Sequence, residues 1–263
     1  MHAENFVLQD YLDRIGYAGQ AQADLATVTA LMRHQLFSVP FENLDVQAGK
    51  IVSLVPEEIV DKIVARRRGG YCYEVNGIFA MALQALGVPY QLVAARPMFY
   101  PARRPRTHMV IVVTLDGVQW LCDLGFGSYG IRAPVRLDLL DTELVQDDDV
   151  FMLSKPNERE FLVQARVGGE WQNQFGFDLS HQEWIDFMPA NYLNSTHPES
   201  IFVRMLLLVQ HRADGRSILL GDTLKTVRHG QLAQRRVAPE EQADVLRELF
   251  GLSLPEPAPG ATA

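Results

Sequence analysis

A chain of 263 residues, 48% hydrophobic and 21% charged, is long enough to bury a large core and has the balance of a globular enzyme. Its net charge of −8 argues against a protein whose main task is gripping nucleic-acid phosphates, although Arg66–Arg68 or Arg103–Arg106 could still form a local basic patch for a small anion. No apolar run, Met205–Val209 included, approaches a membrane span, and the polar start Met1–Asn5 is no secretory signal, so the expectation is a cytoplasmic chain whose two cysteines stay reduced.

Residues 5 to about 90 carry helical spacing. Phe6, Leu8, Tyr11, Leu12 and Ile15 suit a short helix closed by Gly16. Asp24 caps a second helix, whose stripe is Leu25, Val28, Leu31, Met32 and Leu36 and which Pro40 ends. Glu42 and Asn43 follow in a loop and, alone, read as ordinary loop polarity. Pro56-Glu57-Glu58 opens a third helix with Ile59, Ile63 and Val64 inward, running into Arg66–Arg68. Gly69-Gly70 is expected to let the backbone turn sharply into the next helix.

That helix has Val75, Ile78, Phe79, Ala82, Leu83 and Leu86 on one face and Gly87 as its stop. Cys72 falls in its first turn, where free N–H groups, the helix dipole and the upstream arginines favour a thiolate. Unpaired cysteine is also a common small core residue, and this stretch alone leaves the two readings even. Glu74 and Asn76 point away from the buried stripe and are expected to bond the surrounding loops.

From Tyr90 to about Val167 the period becomes two. The expected strands are Tyr90–Arg96, His108–Leu115, Val118–Leu124 and Phe161–Val167, and short strands at this spacing suggest a compact barrel or curled sheet. Antiparallel pairing about the Asp116-Gly117 turn makes facing positions sum to about 233, which puts Asp123 within diagonal reach of His108. Cysteine, histidine and aspartate then supply a nucleophile, a base and an orienting carboxylate. Asp147-Asp148-Asp149 reads as an exposed loop and not a metal site. Gln182–Pro198 reads as a connection across the surface, and Ser200–Val209 and Arg216–Leu220 as strand-like about an Asp214-Gly215 turn. Pro239–Phe250 is a final helix with Ala243, Leu246 and Phe250 on one side, and Pro255–Ala263 a frayed tail.

Arg68-Gly69-Gly70-Tyr71-Cys72-Tyr73-Glu74-Val75-Asn76, with Val39-Pro40-Phe41-Glu42-Asn43-Leu44 before it, resembles the arylamine N-acetyltransferase family. Thr107-His108-Met109 and Cys122-Asp123-Leu124-Gly125-Phe126-Gly127 resemble that family's later motifs in the same order. The resemblance implies an α+β fold: a helical bundle over 1–88, a central β-barrel over 89–198 and an α/β lid over 199–263, around a papain- or transglutaminase-like Cys-His-Asp core. It implies a triad of Cys72, His108 and Asp123, with Glu42 and Arg68 bracing the nucleophile. It further implies acetyl-CoA as co-substrate, with Thr107 and Gly125-Phe126-Gly127-Ser128 near the cofactor, and an apolar acceptor slot from Phe37, Phe126 and Phe202. The expected partners are aromatic amines and hydrazines, with no nucleic acid, membrane or metal, and a homodimer is compatible with it.

The triad by itself leaves the acyl acceptor open, since water completes a hydrolase cycle and an amine a transferase cycle. A cysteine hydrolase or transglutaminase-like acyl transferase is the second reading, and a non-enzymatic CoA- or aromatic-binding protein the third. The Arg68-Gly69-Gly70-x-Cys72 block and the Gly125-Phe126-Gly127 loop favour an acetyl-CoA-dependent transferase that works by a ping-pong route.

Overall fold

The computed structural model describes residues 1–127 and 129–253; Ser128 and the tail expected to fray both fall outside them. The N-terminal part is helical. Helix α1 (Leu8–Ile15) stops at Gly16 in the left-handed conformation, and α2 (Leu25–Ser38) begins where the Asp24 carboxylate accepts from the Thr27 N–H. A two-residue strand β1 (Phe41–Glu42) and a single turn α3 (Leu44–Gln47) follow. Helix α4 (Pro56–Val60) widens into a π-helical turn over Asp61–Ala65. Helix α5 (Cys72–Leu86) then crosses the core, and Gly87 closes it at φ 73°.

Strands β2 (Tyr90–Pro97), β3 (His108–Leu115), β4 (Val118–Cys122) and β5 (Val135–Arg136) come next, then β6 (Leu144–Gln146), β7 (Asp149–Ser154), β8 (Phe161–Val167) and β9 (Glu170–Phe177). They form one antiparallel sheet in the order β5-β4-β3-β2-β9-β8-β7-β6. The sheet curls but ends in β5 and β6 as separate edges, so of the two forms the strand spacing suggested it is the curled sheet, half a barrel and not the barrel the resemblance implied. The hairpin register is as expected: Ile111 faces Cys122 and Leu115 faces Val118. Strand β3 is buried along nearly its whole length because α5 packs on it, which explains its continuous apolar run.

Three later expectations change. The segment read as a surface connection holds a 3-10 turn (Trp184–Phe187) and helix α6 (Met188–Thr196), which buries Asn191, Asn194 and Ser195. The strand-like Ser200–Val209 begins instead as helix α7 (Ile201–Arg204), with Ser200 accepting from the Phe202 N–H as its cap. Only then does β10 (Leu207–Arg212) start, followed by β11 (Gly215–Leu220), β12 (Thr223–Arg228) and β13 (Gln231–Arg236). These strands make a second antiparallel sheet, and β1 completes it beside β10. Helix α8 (Gln242–Phe250) covers one face with Val245, Leu246 and Phe250, while Ala243 is exposed.

Candidate active site

The loop before α5 is held from the Pro40–Asn43 segment. Gly70 donates to the Pro40 carbonyl and accepts from the Glu42 N–H at 3.0 Å, making a parallel bridge between Phe41 and Gly70. Neither glycine is needed for a left-handed turn; that conformation falls on Arg67, at φ 52°. Both glycines are there for close approach. A Cβ on Gly69 would sit 2.0 Å from the Pro40 carbonyl oxygen, and one on Gly70 would meet the Glu74 side chain at 2.7 Å. The two glycines read as a sharp turn therefore serve a tight seam.

The arginines upstream of Cys72 do not point at its thiol. Arg66 pairs with Asp61, Arg67 is exposed, and Arg68 turns back to Glu42 at 2.6 Å. Glu42 also accepts from the Leu44 N–H at 2.7 Å, which ties it to the turn that follows. Beneath it lies Lys62, 5% exposed, whose ammonium reaches Asp45 at 2.5 Å and Glu74 at 2.7 Å. Burial opposes the Lys62 charge, but Glu74, Glu42 and Asp45 outweigh it and hold its pKa above the ordinary lysine value. Burial pushes the Glu74 carboxyl up to about 7 against the pull of Lys62. Lys62 escaped the sequence reading, although a lysine three residues after inward Ile59 and just before inward Ile63 was a usable signal.

His108 opens β3, and its Nε2 lies 2.8 Å from Asp123 Oδ2. Cys72 also acts on the imidazole, and with Nε2 taken by Asp123 it is Nδ1 that remains free for the sulfur. All three side chains are at least 95% buried. Burial disfavours an imidazolium here, yet Asp123 and the contact with Cys72 outweigh it and push His108 up to about 10. The Asp123 carboxylate takes two further donors on Oδ1, the Gly125 N–H at 2.9 Å and the Asn76 amide at 3.1 Å. Asn76 also donates to the Met109 carbonyl and accepts from the Leu124 N–H. Asn76 thus bonds the loop after β4, as expected, and in addition reaches the Asp123 carboxylate that holds His108.

Thr107 contributes its carbonyl, which accepts from Tyr73 Oη and Asn194 Nδ2 at 3.0 Å each and lies 3.9 Å from Cys72 Sγ. Gly125 fits because a Cβ there would stand 2.5 Å from Cys72 Cα. Its N–H is taken up by the Asp123 carboxylate. Phe126 sets its ring edge-on to His108, with centroids 5.2 Å apart, and tilted against Phe175 at 4.8 Å. Gly127 follows at φ 93°. Phe202 lies 5.3 Å from the ring of Tyr71, the residue before Cys72. Phe37 is elsewhere: it takes the Arg33 guanidinium at 5.1 Å and lines a cavity of about 500 Å³ with Ile15, Ala30, His34 and Ser38.

A family model described as N-acetyltransferase matches residues 24–258. An arylamine N-acetyltransferase of Escherichia coli is 32% identical over 269 residues, covering 97% of this chain and 92% of the relative. The chain belongs to the arylamine N-acetyltransferase family. Family members of known structure superpose closely. That of Nocardia farcinica has a TM-score of 0.90 at 35% identity, covering 96% of this chain and 92% of the other. That of Mycobacterium marinum in complex with CoA has a TM-score of 0.88 at 33% identity, covering 93% and 92%. Among the described residues no helix is long and apolar enough to cross a membrane.

Proposed function

We propose that this chain, an acetyltransferase by family, moves an acetyl group from acetyl-CoA to the nitrogen or oxygen of arylamines, arylhydrazines and arylhydroxylamines through an acetyl-Cys72 intermediate. The observation that carries the reading is the His108 imidazole, bound to Asp123 at 2.8 Å and raised in pKa by Asp123 and by Cys72, the first residue of α5. A Cys72 thiolate facing the His108 imidazolium attacks the thioester carbonyl. The backbone N–H of Cys72, at the positive end of α5, is placed to donate to the oxyanion. As the carbon–sulfur bond to CoA breaks, His108 gives its proton to the departing thiolate and becomes neutral. The aromatic amine, itself neutral at pH 7, then attacks acetyl-Cys72, and His108 takes the amine proton. Release of the Cys72 thiolate restores the starting pair, so the two half-reactions balance.

Phe126 and Phe202 frame the acceptor side in this reading, and the second sheet with α8 acts as the lid over it. Phe37 has no part in the slot, given its place on α2 in the cavity shared with Ile15 of α1. Thr107, Phe126 and Gly127 stand on the side where the pantetheine arm would enter. The M. marinum relative's complex with CoA supports that cofactor for this chain. Initial rates at varied acetyl-CoA and several fixed aniline concentrations test the route. Parallel double-reciprocal lines are expected, and lines that intersect would overturn it.

A further inference from the structure

We propose that His211 is a positioning residue for acetyl transfer: by donating to the Gly127 carbonyl it holds the Phe126 ring against His108. The inference rests on the proposed role of Cys72 and His108 and adds to it a residue far from the triad in sequence. His211 is 5% exposed on β10, and its Nε2 lies 2.8 Å from the Gly127 oxygen. A carbonyl only accepts, so Nε2 carries the hydrogen and Nδ1 is the bare nitrogen. No hydrogen-bond partner meets that Nδ1 among the described residues. Burial, with Arg132 and Arg216 beside the ring, pushes His211 down to about 3 and keeps it neutral despite Asp147.

The segment that carries Phe126 is pinned at both ends. On one side the Gly125 N–H is bound to Asp123; on the other, Gly127 holds a backbone conformation rare for L residues, with its carbonyl fixed by His211. Val209, on the same face of β10, backs Gly127 at 3.9 Å from where a Cβ would stand. The same strand reaches the other half of the site, because Val209 pairs with Phe41 and Phe41 bridges Gly70. One strand thus sets the nucleophile's loop and the Phe126 loop relative to each other. The Arg132 and Arg216 guanidiniums share Asp149 at 2.5 and 2.6 Å, and their charge also bears on His211.

The test is single-turnover transfer from acetyl-Cys72 to aniline, followed by intact-protein mass, with urea unfolding of each variant alongside. His211→Leu is expected to slow transfer about tenfold, the scale of one lost buried hydrogen bond. His211→Gln, whose amide N–H can reach the same carbonyl, is expected to stay within about threefold of the wild type. In a Phe126→Ala background, His211→Leu should add no further loss. Equal losses in the two His211 variants, additive losses with Phe126→Ala, or a loss that tracks the unfolded fraction would each overturn the inference. A wild type that forms no acetyl-Cys72 would overturn the proposed function and this inference with it; an active wild type with an additive cycle overturns this inference alone.

Discussion

Asn76 occupies a position one turn into α5 from which its amide meets three groups of the β3–β4 hairpin. Its two N–H bonds go to the Met109 carbonyl and to Asp123, and its oxygen accepts from the Leu124 N–H. Truncation leaves those buried partners unpaired, at about 1–3 kcal/mol for each unsatisfied group. Asn76→Ala is therefore expected to lower the urea midpoint by an amount worth about 2 kcal/mol or more. It should also cut kcat/KM at least tenfold, because Asp123 is then free to turn away from His108. A variant with wild-type kinetics would show that Gly125 alone suffices to orient the carboxylate. His108 carries the pH dependence at this scale. Its folded pKa, about 10, is above the unfolded value near 6.5. The stability it contributes is fully present below about pH 6.5 and is lost as pH rises through about 10. The stability difference between wild type and Asp123→Asn should accordingly shrink from pH 6.5 to pH 10. A difference that grew with pH would contradict the assignment of the imidazolium.

Among the elements, the π-helical turn after α4 and the start of α5 are joined by buried charge. Lys62 serves Asp45 and Glu74 directly and approaches Glu42 at 3.8 Å, so three carboxylates depend on it and Arg68. Removing one member of a buried ion pair costs about 3–5 kcal/mol, because the remaining charges lose their compensation. Lys62→Met should show that loss in chemical denaturation, and a stable variant would mean that Arg68 alone balances the cluster. The hairpin was legible in the sequence because a two-residue turn sets its register, and α5 because its apolar spacing and glycine stop agree. The Lys62 cluster was not, because its members come from three separate segments and no local pattern links them. Helix α7 was missed for a related reason. Ile201, Phe202 and Val203 favour strands, but a Ser200 cap and the Asn43 amide, bound to the carbonyls of Phe202 and Met205, settle a helical turn there.

Across the whole molecule, the two sheets are tied by charge as well as by apolar packing. Arg33 of α2, Arg132 before β5 and Arg216 of β11 alternate with Asp147 and Asp149 in one chain of ion pairs. The acidic run that reads as an exposed turn is thus partly an inward anchor, which only the three-dimensional position of Arg132 and Arg216 reveals. Asp149→Asn strips both buried guanidiniums of their shared partner and is expected to destabilise the protein by about 3–5 kcal/mol, read from thermal or urea unfolding. An unchanged midpoint would show that Asp147 compensates alone. The central claim concerns chemistry at one sulfur. Its most direct measurement is the intact mass of the protein after mixing with acetyl-CoA and no amine, for the wild type and for Cys72→Ala. A single acetyl on the wild type, absent from Cys72→Ala and lost when aniline is added, is the result predicted. No adduct, or an equal adduct on Cys72→Ala, would contradict it.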